Sequence, residues 1–408
     1  MSNDIGKKHI ATRSVRASLE SDEQHGSVVP PIYLSTNFAF EGYRKSRKYD
    51  YTRSGNPTRD QLAEALTDLE GGAGAVVTCT GMAAVTLVLA TLPCGSRVIA
   101  PFDCYGGTYR LLAALEKKGG LVVDFIDQGD PAALAAALAK RPALVWIETP
   151  SNPLLRIVDI RAIAAASHAA GALVVADNTF LSPVWQQPLA LGADMVMHST
   201  TKYLNGHSDV VGGAVVAATA ELAQELAWWS NAIGVTGAPF DSFMTLRGVR
   251  TLHARARVHA ENTLAVVSAL TGHPAVQRVY YPGLATHPGH DLARRQQSGF
   301  GAMLSVDLKG GEPAVKALLD GLECFTLAES LGGVESLIAH PASMTHAGMD
   351  EAARQRAGIG VGLLRVSVGI ENSSDLVADL SAGLERALRA GGARGAAPAA
   401  TRDAREHV

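Results

Sequence analysis

A lysine, Lys202, follows two hydroxyl residues, Ser199 and Thr201, just past the point where an apolar run, Met195–Met197, stops at His198. The run reads as a buried strand, which places the lysine near its carboxyl end. Burial disfavours the charged ammonium, so the pKa falls and the free amine that attacks an aldehyde becomes populated. Upstream, the apolar run Leu173–Ala176 ends in Asp177. A carboxylate, an amine and hydroxyls at neighbouring strand ends match the demands of pyridoxal phosphate. Its pyridinium nitrogen needs an anion, its aldehyde an amine and its phosphate donors. A threonine–lysine pair alone is usually a surface feature, and the placement of Asp177 is what favours the cofactor.

These residues need a scaffold of strands, and the sequence supplies one. Between Ala75 and Ala218, short apolar runs (75–77, 98–100, 122–126, 144–147, 173–176, 195–197 and 214–217) alternate with alanine- and leucine-rich helical segments. Such alternation predicts a mainly parallel sheet covered by helices on both faces, with ligands beyond the carboxyl ends of the strands. Those ends carry Thr80-Gly81-Met82, Asp103-Cys104-Tyr105, Glu148-Thr149, Asp177 and Ser199. Gly81 and Met82 follow a strand and open a helix, so their N–H groups can hold a phosphate, although an ordinary strand–helix turn has the same pattern. Nucleotide motifs fail: Lys202 lacks the glycine-rich lead of a P-loop, and Gly72-Ala73-Gly74 precedes its strand. Asn56 before Pro57 predicts a helix start, Leu62, Ala65, Leu66 and Leu69 keep helical spacing, and Gly71-Gly72 predicts the stop.

A chain of 408 residues is long enough for two domains. Residues 1–60 are polar and turn-rich and read as an arm without its own core. Residues 61–255 form the expected large domain. A change of composition near 255 introduces a smaller α/β domain over 256–388, with strands at 302–308 and 363–368. Residues 389–408, rich in alanine, glycine and proline, read as a disordered tail. The net charge of −3 offers no basic surface for nucleic acid. Four cysteines without paired spacing fit a reducing compartment, and Cys79, in an apolar run, reads as buried. Met1–Ser18 lacks the apolar core of a signal peptide, and no apolar run spans a bilayer, so a soluble cytoplasmic protein is expected. His287 with His290, and His340 with His346, have no evident third partner, so no metal site is expected. Trp228-Trp229 reads as packing or a subunit contact.

Four longer stretches resemble the Cys/Met-metabolism family of pyridoxal-phosphate enzymes, and within it the γ-synthase branch. They are residues 51–58 (Tyr-Thr-Arg-Ser-Gly-Asn-Pro-Thr), 177–183 (Asp-Asn-Thr-Phe-Leu-Ser-Pro), 198–209 (His-Ser-Thr-Thr-Lys-Tyr-Leu-Asn-Gly-His-Ser-Asp) and 325–335 (Phe-Thr-Leu-Ala-Glu-Ser-Leu-Gly-Gly-Val-Glu). The likeness runs from about His9 to about Leu388. It implies a fold type I transferase with pyridoxal phosphate joined to Lys202, and a homotetramer, a dimer of dimers, whose active sites are shared between subunits. In that arrangement Tyr51 and Arg53 reach the phosphate of the neighbouring subunit. Tyr105 stacks on the cofactor ring and serves in proton transfer. Ser330 hydrogen-bonds the lysine amine. Arg365 and Asn152 take the substrate α-carboxylate, although an arginine on an alternating strand can equally face water. Glu329 helps place the incoming amino acid, and Asn231 borders the entrance. The implied reaction is γ-replacement: cysteine displaces the acyl group of an O-acylhomoserine, most closely O-succinylhomoserine, and forms cystathionine. Arg110 is then the main anchor of the succinyl carboxylate, because Ser54 stands where some synthases carry a second arginine. γ-Lyase and O-acylhomoserine sulfhydrylase activities share the same cofactor residues. A non-catalytic cofactor carrier would have no use for the α-carboxylate clamp.

Overall fold

The protein is described by a computed structural model over residues 8–345 and 351–392. Seven strands make the larger sheet: β1 (Gly74–Thr78), β2 (Ser96–Pro101), β3 (Leu121–Ile126), β4 (Leu144–Glu148), β5 (Leu173–Asp177), β6 (Met195–His198) and β7 (Gly213–Ala217). Their order is β1-β7-β6-β5-β4-β2-β3. All pairings are parallel except those of β7, which runs antiparallel to both neighbours. The central strands β4 and β6 are buried at every residue. That burial explains why they read as unbroken apolar runs instead of alternating ones. Each of the seven runs read from sequence falls within one of these strands.

The helix Pro57–Glu70 begins as the sequence indicates. The Asn56 side chain accepts from the N–H groups of Thr58 and Arg59, and Gly71 ends the helix at φ 73°. Cys79, expected to be buried, is exposed. β1 is an edge strand and stops at Thr78, so Cys79 lies one residue beyond the sheet.

A second sheet has five strands, β8 (Val276–Tyr280), β9 (Met303–Leu308), β10 (Thr326–Leu327), β11 (Leu337–Ala339) and β12 (Leu363–Ser367), in the order β10-β11-β12-β9-β8. Leu304, Val306, Leu364 and Val366 form its core with Leu376, Leu380 and Leu384 of the helix Ser373–Gly392. The 32-residue helix Pro239–Leu270 runs through position 255 and contributes to both cores. Residues 389–392 continue the last helix, and residues 393–408 of the expected tail lie outside the described residues. Among the described residues, no helix is long and apolar enough to cross a membrane.

Candidate active site

The carboxyl ends of β1, β2, β4, β5 and β6 open on one cavity of about 660 Å³. Its lining includes Lys202, Asp177, Tyr105, Ser199, Thr201, Gly81 and Met82, and from the smaller sheet's side Glu329, Ser330 and Arg365. Asn152 and Arg110 also reach it.

Lys202 lies in the turn after β6. Arg255 of the long helix pins that turn, its guanidinium donating to the carbonyls of Tyr203 (2.8 Å) and Leu204 (3.4 Å). The Lys202 Nζ donates to Ser330 Oγ at 2.7 Å. Burial, reinforced by the charge of Arg365 and opposed by that of Glu329, brings the Lys202 amine down to about 8. At neutral pH the free-base fraction thereby rises from roughly one in three thousand to about one in ten. The lysine is thus primed as an amine nucleophile.

Ser330 holds its place at φ 87°, a conformation that costs a non-glycine residue of order 1 kcal/mol. Its two oxygens are both engaged. The hydroxyl meets Lys202, and the carbonyl accepts from Arg365 Nη2 at 2.8 Å. Arg365 Nη1 donates to Asn152 Oδ1 at 3.2 Å. Arg365 is therefore buried, 4% exposed, and does not face water. Burial lowers its guanidinium to about 10, and it remains charged at neutral pH. A buried fork of this kind, facing a cavity, suits a carboxylate.

Asp177 closes β5, and Glu148 stands opposite it in register at the end of β4. Burial raises both carboxyls, Glu148 the more strongly because Asp177 adds its own negative charge. Hydrogen bonds from Thr179, with its N–H at 3.0 Å from Asp177 Oδ1, and the charge of His198 pull Asp177 back down. Two neighbouring buried carboxyls share one charge more readily than they carry two. The balance favours the charge on Asp177, which has the hydrogen bonds of Thr179 and the nearby His198 to offset its burial.

The helix Gly81–Ala90 points its N-terminus at the same cavity. Thr80 Oγ1 accepts from the Ala83 N–H and the Thr80 carbonyl from Ala84. The first two N–H groups, on Gly81 and Met82, have no intrahelical acceptor and remain for an anion. A Cβ at Gly81 would lie 2.8 Å from Ser199 Cβ, so only glycine brings this helix end against the serine. These donors, the amine of Lys202 and the anion of Asp177 fit pyridoxal phosphate. The hydroxyl of Thr201 also lines the cavity, while bridging the backbone of Gly212 as donor (3.2 Å) and acceptor (3.0 Å).

Three of the sequence-based candidates lie apart from the cavity lining. Tyr51 and Arg53 are exposed on the arm, and the guanidinium sits 5.7 Å from the tyrosine ring centre. Asn231 is half-buried on the helix Ala220–Ile233, and its Oδ1 has no partner among the described residues. Residues that were given no site role from sequence also line the cavity, among them Glu148, read there only as a polar strand end, and Thr179. Position alone could have flagged Glu148, since it ends a strand beside the one that ends in Asp177. Among the described residues, no three His, Cys, Asp or Glu side chains gather as metal ligands. His340 instead bonds Ser343 and the Val361 carbonyl, and its expected companion His346 lies outside the described residues.

The sequence profile of the Cys/Met metabolism PLP-dependent enzymes matches residues 11–385. The cystathionine γ-synthase of Escherichia coli K12 is 56% identical over 92% of this chain and 98% of that protein. The cystathionine β-lyase of Coxiella burnetii is 46% identical over 94% of this chain and 99% of that protein. The crystal structure of cystathionine γ-synthase from Xanthomonas oryzae pv. oryzae, in complex with aminoacrylate and cysteine, superposes with a TM-score of 0.93. It is 62% identical and covers 94% of this chain and 99% of that one.

Proposed function

The chain belongs to the Cys/Met-metabolism family of pyridoxal-phosphate-dependent enzymes, and on that premise we propose that it is a cystathionine γ-synthase. It would join O-succinylhomoserine and cysteine to give cystathionine and succinate. The observation that carries this reading is the continuous chain from Lys202 through Ser330 and Arg365 to Asn152, in a cavity whose mouth carries exposed charges of both signs, Arg110 and Glu329. One end binds and deprotonates a first amino acid. The other offers places for an acyl carboxylate and for the ammonium of a second amino acid.

In this reading Asp177 faces the cofactor's ring nitrogen, Lys202 its aldehyde, and Gly81, Met82, Ser199 and Thr201 its phosphate. When bound, the cofactor supplies a sink for the electrons released at the substrate's Cα. Arg365 and Asn152 hold the α-carboxylate, which aims the Cα–H bond at the Lys202 amine. That amine, whose lowered pKa of about 8 makes a free-base fraction available near neutral pH, moves protons at Cα and Cβ. Ser330 directs its lone pair. The Cγ–O bond to the succinyl group breaks, and the cysteine sulfur, giving up its proton, forms the Cγ–S bond. Tyr105 stacks on the ring and takes part in proton transfer, Glu329 places the incoming ammonium, and Asn231 borders the entrance.

Tyr51 and Arg53 complete the phosphate site of a neighbouring subunit within a cytoplasmic homotetramer. Their exposure on an arm, away from the chain's own cavity, supports this assignment.

Cleavage of cystathionine is the second reading, favoured by the 46% identity to a β-lyase over nearly the full chain. Product analysis separates the two. O-succinylhomoserine with cysteine should yield cystathionine and succinate faster than cystathionine alone yields a keto acid under matched saturating conditions. The reverse order would replace the synthase reading with the lyase one.

A further inference from the structure

Tyr105 is the N-terminal cap of the helix Gly106–Lys117, yet its side chain makes no capping hydrogen bond. The ring is 44% exposed and leans across Gly107, where a Cβ would fall 2.5 Å from Tyr105 Cε1 and 2.8 Å from Met82 Sδ. Something other than the phenol must fix this residue. Its backbone N–H donates to Glu148 Oε2 at 2.7 Å. The backbone N–H of Asn152, four residues beyond Glu148, also faces that carboxyl and favours its charged form. Glu148 is 6% exposed, lines the cavity and stands in register with Asp177.

We propose that Glu148 is a positioning residue that ties the ring-facing Tyr105 and the carboxylate-binding Asn152 to one buried group. The inference rests on the roles assigned to those two residues above. A carboxyl that accepts the Tyr105 N–H from the loop after β2 and is faced by the Asn152 N–H in the loop after β4 couples the cofactor side of the cavity to the substrate side. Burial and the neighbouring Asp177 raise the Glu148 carboxyl well above the usual range, which favours its neutral form. In that form it adds no second anion beside Asp177. A glutamine has the same shape, keeps an acceptor and is neutral, whereas methionine fills the volume and accepts almost nothing.

The test compares Glu148→Gln, Glu148→Met and Glu148→Ala as holoenzymes. Its readouts are the circular dichroism of the cofactor's visible band, the dissociation constant for pyridoxal phosphate, kcat, and KM for the first amino acid. We expect the methionine and alanine variants to lose roughly tenfold in kcat, to raise KM roughly tenfold and to weaken the visible dichroism. Glu148→Gln should stay within about threefold of wild type in each. Wild-type dichroism in Glu148→Met would overturn the proposal, as would a glutamine variant as impaired as the methionine one. A change in melting temperature or folding alone, with Glu148→Gln normal throughout, would reduce Glu148 to a structural role and also overturn it. A wild-type enzyme with the visible band but no cystathionine formation would overturn the γ-synthase reading while leaving the dichroism comparison intact.

Discussion

The inner wall of the cavity and its rim are built differently. At the inner wall, Lys202, Ser330, Arg365 and Asn152 are linked by hydrogen bonds of 2.7–3.2 Å; Arg365 stands within β12 and the other three in loops that follow strands. At the rim, Arg110 and Glu329 are exposed, and Tyr51 and Arg53 lie further out on the arm. Buried, interlocked groups have one arrangement, because any move strands a donor or acceptor away from water. Exposed groups are free to differ among enzymes that share one cofactor. On the proposed reading, the inner wall would carry the cofactor chemistry, and Arg110 and Glu329 at the rim would set the choice of partner substrates.

The sharpest way to break this distinction is at Lys202. Lys202→Ala should lower kcat by roughly a thousandfold or more, since both amine and proton carrier disappear. Borohydride should trap the cofactor on Lys202 in wild type, and an adduct mapped to another lysine would refute the assignment. A pH signature accompanies it in the cofactor-free protein. The folded-state pKa of Lys202, about 8, lies below its ordinary value of 10.5. The charged amine therefore costs the fold stability below pH 8, and the cost fades as pH rises from about 8 to 10.5. Cofactor-free Lys202→Met should melt above cofactor-free wild type at pH 7, with the gap closing across that window. A constant gap would mean that the amine is not strained by burial.

The inner wall was also the more legible in sequence. Lys202 and Asp177 announce themselves because a charged residue at the end of an apolar run has few other reasons to be there. Arg365 was ambiguous: alternation on a strand does not say which face is buried, and only the packing of β12 between β9 and β11 decides it. Glu148 went unselected because its meaning depends on register with Asp177, a long-range pairing that local spacing does not encode. Cys79 misled for a similar reason, since an apolar run does not mark where its sheet ends. The rim was reached only by resemblance, as exposed residues carry no burial pattern to read.

A smaller effect is expected at Arg110, and it sharpens the contrast. A succinyl ester carries a distal carboxylate that an acetyl ester lacks. Losing one charge-assisted contact costs ~1.5–3 kcal/mol, or roughly ten- to a hundred-fold in kcat/KM. Exposure places the effect at the lower end and makes it sensitive to salt. Arg110→Ala should hurt O-succinylhomoserine by about tenfold more than O-acetylhomoserine, in steady-state assays with cysteine saturating. Equal losses for both esters would remove the succinyl assignment and leave Arg110 as a solvated rim charge.

The arm gives the last comparison, between residues that complete their own chain's site and residues that complete another's. Tyr51 and Arg53 are held within the arm and by the helix that follows it, Tyr51 bridging to Asn37 and the Arg53 carbonyl accepting from Arg59 Nη2. The Ser54 side chain bonds Asp50 and the Tyr51 carbonyl, and the Tyr51 N–H meets Asp50. Several apolar neighbours on this arm, Leu34 and Tyr43 among them, are exposed, 66% and 88%. Burying such groups against a second copy would contribute roughly 1.5–3 kcal/mol per large side chain. If the arm supplies Arg53 to the adjacent subunit, Arg53→Ala and Lys202→Ala chains are each deficient alone but complementary together. In a randomly assorted symmetric dimer, about half the pairs are mixed, and one of the two sites in each mixed pair has both residues intact. Co-expressed chains should therefore recover roughly a quarter of the wild-type sites, counted by activity per assembled subunit. Recovery is read above the residual activity of Arg53→Ala alone, which sets the floor. If mixed assemblies are isolated by two affinity tags and show no recovery above that floor, Arg53 serves its own chain or none, and the division between inner wall and rim would no longer follow the subunit boundary.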